Sequence, residues 1–100
     1  MTEVINIKDA PKGWQNDKKY VYIGRQNRRK KLRESFWFNP FKIDKRRDRT
    51  EVLRLFHIYI KSLPWMLERL GELEGKTLVC WCKPEECHGD ILIHLLEQQG

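Results

Sequence analysis

TLVCWC, residues 77–82, is apolar throughout and follows a turn-forming Gly75-Lys76 pair. A run this short, uncharged at every position along the pleat, reads as a strand covered on both faces. Such strands belong to parallel sheets with helices packed against them. Its place in the chain decides the fold, because a long helical stretch precedes it. A strand reached through a helical crossover lies parallel to an earlier one.

That helical stretch is expected to begin at Thr50 as N-cap, with Glu51 in the first turn. Val52, Leu55, Phe56, Tyr59 and Leu63 recur at spacings of three and four, widened by Leu53 and Ile60. Pro64 can open a second short helix, PWMLERL, which Gly71 stops. Beyond the 77–82 strand, a last helix is expected over 88–98, turning Ile91, Leu92, Leu95 and Leu96 to the sheet. Upstream, EVINI (3–7) and YVYI (20–23) read as strands, the second ended by Gly24. Pro11, Gly13, Asn16 and Asp17 make the segment between them a loop. FWFNPF (36–41) is expected to be extended around its Asn-Pro step, with its rings in the core. The element order is β-β-α-α-β-α. This predicts a single α/β domain over residues 1–100, a small reduced Rossmann-like sheet of about three strands with helices covering it.

No run approaches the ~18 apolar residues of a membrane span. MTEVINIKDA has no apolar core of a signal peptide, and three cysteines suit reduced thiols better than a disulfide framework. A cytoplasmic protein is expected, without a membrane partner. Net charge is +6, but its distribution is uneven: residues 18–49 hold thirteen Lys/Arg against three Asp/Glu. RQNRRKKLR (25–33) and KIDKRRDR (42–49) are the densest parts. Such density favours a polyanion or a phosphate-bearing ligand, and Arg28, Arg29, Lys30, Lys31, Arg33, Lys45, Arg46 and Arg47 are the candidates for nucleic-acid contact. The 26–33 stretch lacks apolar periodicity and is expected to lie outside the core, as a mobile basic loop.

In open α/β sheets, ligands sit beyond the carboxyl ends of the strands. Gly24 and Arg25 follow one strand, and KPEECHGD (83–90) follows another, so the two segments are expected at one edge. Cys80 falls mid-strand as a small core residue, with Cys82 on the same face at the strand end. Cys87 and His88 begin the last helix, where free N–H groups favour a thiolate and suit an anion near Gly89. Cys87 is therefore expected to react faster than Cys80. Three readings of this cluster stand open: a thiol/imidazole site, a zinc site, and a purely structural turn. The C-x-C-x4-C-H spacing counts against zinc, since adjacent Cys87 and His88 would have to face one ion. No metal or other cofactor is expected.

The motifs also resemble a known family. Tyr22 to Arg25 (Tyr-Ile-Gly-Arg), Asn39 to Phe41 (Asn-Pro-Phe), and Gly75 onward through Cys82, Pro84 and Cys87 to Asp90 are similar to the domain-of-unknown-function 4326 family of small bacterial and phage proteins. The resemblance spans roughly residues 3 to 97. This chain departs from the pattern in its longer basic QNRRKKLRES segment and in Phe38, which stands where members have glycine. The resemblance implies that Gly24, Arg25, Asn39, Pro40, Cys82, Cys87, His88, Gly89 and Asp90 belong to one site, and it implies no settled activity.

Two functions fit these residues. In the first, Arg25 and the Gly89 backbone hold a nucleotide or nucleic-acid phosphate, with Cys87, His88 and Asp90 available for chemistry. In the second, a non-enzymatic phage-type module grips nucleic acid or an acidic host protein through its 25–49 surface, within the host cytoplasm if phage-encoded, and the Cys/His turn is structural.

Overall fold

The computed structural model describes residues 2–99. Three strands form one parallel sheet: β1 (Glu3–Asn6), β2 (Tyr20–Tyr22) and β3 (Thr77–Cys80), in the order β1-β3-β2. The last strand in the chain is thus the central one. Val4 and Val21 both stand opposite Leu78, and Asn6 stands opposite Cys80. All four β3 residues are buried, as a strand sandwiched in a parallel sheet requires. The strand stops at Cys80 rather than at Cys82, and Trp81 turns outward with its ring 43% exposed.

Helix α1 (Arg49–Lys61) buries Val52, Leu53, Phe56 and Ile60, the face that the 3–4 spacing marks. Its N-cap is Asp48, not Thr50: the Asp48 carboxylate accepts the Glu51 N–H at 2.9 Å. Helix α2 (Pro64–Arg69) starts with its proline in the first turn, where no N–H is needed, and a 3-10 turn (Leu70–Leu73) completes it. Helix α3 (His88–Gln99) packs on α1 and β1 and buries Leu92, Leu95 and Leu96. Ile23, Phe56, Ile60, Leu70, Leu78 and Leu92 are wholly buried at the centre of the core. No helix among the described residues is long and apolar enough to cross a membrane.

Two expectations about loops need correction. The 26–33 segment is not wholly outside the core: Asn27 and Leu32 exchange both backbone hydrogen bonds at 2.9 Å, and Leu32 is buried. One apolar side chain was enough to anchor the loop. The aromatic stretch is split. Trp37 is buried, whereas Phe36 faces out and lies 3.9 Å from the Arg69 guanidinium, a cation–π contact at the surface.

Candidate ligand-binding site

The carboxyl edge of the sheet is tied together by hydrogen bonds between the ends of β2 and β3. The Tyr22 hydroxyl donates to the Arg25 carbonyl at 2.6 Å and accepts from Trp81 Nε1 at 2.8 Å. The Tyr22 ring lies against Gly24 so closely that a Cβ there would come within 2.6 Å of the ring carbon bearing the hydroxyl, so only glycine fits. Arg25 then reaches across to the Asn-Pro-Phe turn. Its Nη2 donates to the Asn39 carbonyl at 2.6 Å and to the Phe41 carbonyl at 3.1 Å. Asn39 shapes that turn itself, accepting the Phe41 N–H on Oδ1 at 2.9 Å. Both Arg25 bonds leave from one nitrogen, which leaves the rest of its planar donor fork uncommitted to that turn.

The Cys/His turn is held from three sides. Buried Asn6 donates through Nδ2 to the Trp81 and Lys83 carbonyls at 3.1 and 2.6 Å. Arg49 Nη1 donates to the Glu86 carbonyl at 2.8 Å. Asp90 accepts the Cys87 N–H at 3.0 Å and Lys83 Nζ at 2.8 Å on each carboxylate oxygen. His88 is buried, and its Nε2 donates to the Ile23 carbonyl at 2.6 Å. Burial pushes the His88 imidazole below its ordinary pKa, against the opposing pull of the Ile23 and Trp37 carbonyls. It is therefore neutral at pH 7. Gly89 packs on the sheet, where a Cβ would stand 2.8 Å from both Ile23 Cδ1 and Val4 Cγ2.

The sulfurs of Cys80 and Cys87 lie 3.5 Å apart. The sequence separates these residues by the whole turn, but the turn folds Cys87 back over the strand end. Both are only 1% exposed, so exposure does not separate Cys87 from Cys80 in the way the expected contrast in reactivity requires. The Cys87 S–H donates to the Cys80 sulfur, and this shared hydrogen bond holds the Cys80 thiol below its ordinary value. The same shared hydrogen bond, with burial, pushes the Cys87 thiol up.

A cavity of about 450 Å³ opens at this edge. Of the residues expected to form one site, Gly24, Arg25, Asn39, Cys82, Cys87 and His88 line it; Pro40, Gly89 and Asp90 do not. Reasoning from sequence missed Lys42, Ile43, Arg49 and Leu53, which also line it. The signal available for them was weak: a basic, partly apolar segment that leads into the helix. Arg25, Lys42 and Arg49 bring three cations to the wall, and no carboxylate is among the lining residues. Phe41, Ile43, Val52, Leu53 and Trp81 supply an apolar surface beside them. The remaining candidates for nucleic-acid contact, Arg28, Arg29, Lys30, Lys31, Arg33, Lys45, Arg46 and Arg47, are exposed and stand outside the cavity.

Fold and site together define a small α/β protein with a parallel three-stranded sheet and a cationic, apolar-floored cavity at its carboxyl edge. The chain belongs to the family described as Domain of unknown function (DUF4326), whose model matches residues 5–98. It is also similar to an uncharacterized 12.4 kDa protein from the nrdA-td intergenic region of Enterobacteria phage T4, with 44% identity over 39 residues. That match spans 39% of this chain and 36% of the phage protein. No solved structure matches the chain.

Proposed function

We propose that the chain binds a phosphate-bearing small molecule, a nucleotide, in the edge cavity. The observation that supports this reading best is the combination of Arg25, Lys42 and Arg49 with no carboxylate in the wall. Three cations around one concave site attract a multiply charged anion, and low-dielectric walls focus that attraction. Phe41 and Trp81 offer aromatic faces to a planar base, and the volume lies within the ~300–1,000 Å³ usual for ligand pockets. The reading is one of binding, not chemistry. The side chains best suited to catalysis, His88 and Asp90, spend polar atoms on Ile23, Lys83 and Cys87.

Calorimetric titration with nucleoside monophosphates, with the matching nucleosides as controls, tests the proposal. Binding of the monophosphates but not of the nucleosides is expected. Lys42→Ala should weaken it about tenfold, the effect of losing one charge-assisted contact of ~1.5 kcal/mol. Equal heats for nucleoside and nucleotide, or an indifferent Lys42→Ala variant, would overturn it.

A second reading rests on a different observation. The Asn27–Leu32 pairing presents Arg28, Arg29, Lys30 and Lys31 at the tip of a tight turn, all four exposed. That turn would grip a polyanion, nucleic acid or an acidic protein surface. Such a grip weakens steeply with salt, with a log–log slope near the number of phosphates contacted, whereas a single pocket gives a shallow one. Its loss on replacing the four cations, with Lys42→Ala indifferent, would favour this reading over the first.

A further inference from the structure

Cys80 and Cys87 are two buried sulfurs 3.5 Å apart, and both line the cavity. The backbone around them is already pinned by Asn6, Arg49 and Asp90, so their approach does not depend on a mobile loop. A disulfide requires the sulfurs to close by only about 1.5 Å. Nothing as large as a second protein can reach them, since each residue is 1% exposed. The side from which they can be approached is the cavity they line, so an oxidant must be small enough to enter it. The Cys87 S–H donates to the Cys80 sulfur across the 3.5 Å gap, which makes Cys80 the acceptor and the attacking thiolate, since the thiolate is the nucleophile in such reactions. Cys82 is half-buried on the same wall and is the competing partner.

We propose that Cys80 and Cys87 are a reversible dithiol–disulfide pair in the cavity wall, oxidised by hydrogen peroxide. The Cys80 thiolate attacks one peroxide oxygen and breaks the O–O bond. This gives Cys80 sulfenic acid and releases the other oxygen as hydroxide, which takes up a proton to become water. The Cys87 sulfur then attacks the Cys80 sulfur; its own proton and the departing hydroxyl leave as a second water. Two thiols lose two electrons and two protons, and one peroxide is reduced to two waters. A small dithiol reverses the step. The pair acts without any ligand in the cavity, so it stands or falls separately from the nucleotide reading.

The test uses the folded full-length Cys82→Ser variant, treated with stoichiometric hydrogen peroxide. Loss of both remaining free thiols is expected, with a mass decrease of two hydrogens and full recovery with dithiothreitol. Cleavage after Glu85 and Glu86 separates the two cysteines, so a non-reducing digest should show their peptides still joined. In a Cys87→Ser variant the Cys80 sulfenic acid has no partner and should be trapped by dimedone. If Cys82→Ser does not fold, a non-reducing digest of the wild-type protein that also cleaves after Trp81, and so parts Cys80 from Cys82, decides. A link between residues 80 and 87 supports the pair, and a link involving Cys82 overturns it. Oxidation to sulfinic acid without a link, disulfide dimers between chains, or unreactive thiols in the folded protein would also overturn it.

Discussion

The His88 imidazole donates to the Ile23 carbonyl from a position almost wholly cut off from water. Burial lowers its pKa below the ordinary value of 6.5, so folding requires the neutral ring. The sign of the linkage follows. Because the folded-state pKa is depressed, the unfolded chain binds the proton more readily. The contribution to stability is complete above pH 6.5 and is lost as pH falls from there through the folded-state value. Denaturant midpoints measured from neutral pH down to about pH 5 should fall less steeply in His88→Gln, which keeps a donor but cannot titrate. Parallel profiles would show that another group carries the acid sensitivity. A neighbouring residue shows why this role was hidden in the sequence. Cys87 and His88 look like a nucleophile and its base, and only the fold reveals that the ring serves Ile23 and the sulfur serves Cys80. A partner 65 positions away along the chain, as Ile23 is from His88, leaves no local mark.

Helix starts show what local pattern can and cannot decide. Asp48 and Thr50 are both good N-cap residues, and both precede the same apolar stripe. The sequence does not choose between them. The structure does, through the Asp48 carboxylate on the Glu51 N–H and the Asp48 carbonyl accepting from Val52. Asp48→Ala should therefore cost about 0.5–2 kcal/mol, the range for a lost N-cap, and Thr50→Ala well under that. Equal costs in urea denaturation would reject the assignment. The choice bears on the site, because the cap sets where Arg49 emerges, and Arg49 both lines the cavity and holds the Glu86 carbonyl. The apolar face of α1, the strand 77–80 and the start of α3 were legible because each depends on a short-range period or a flanking turn signal. Lys42, Arg49 and Leu53 were not legible as site residues, since their role comes from α1 and the segment leading into it approaching the sheet edge.

On the scale of the whole molecule, the decisive fact is the strand order. β1 and β2 each pair with β3 and not with one another, so the strand made last in the chain supplies every strand-to-strand pairing in the sheet. The sequence indicates this indirectly, because only the 77–80 run is apolar on both faces and so demands the centre. Its partners were legible as strands, but their flanking positions were not, since edge and centre differ only in what lies beside them. The arrangement has a consequence for folding. Without β3 and α3, the strands β1 and β2 have no hydrogen-bonded neighbour strand, and α1 and α2 lose Leu78, Cys80, Leu92 and Leu95 from the core they share. A chain of this size has little core to spare. Fragment 1–74 should therefore show no cooperative thermal transition and no protection from amide exchange in β1 or β2. In the full chain, the β3 amides should exchange slowest and share one opening free energy with the core of α1, as expected of a single cooperative unit. A cooperative transition in fragment 1–74, or β3 amides that open before those of α1, would mean that the helices hold together without the sheet.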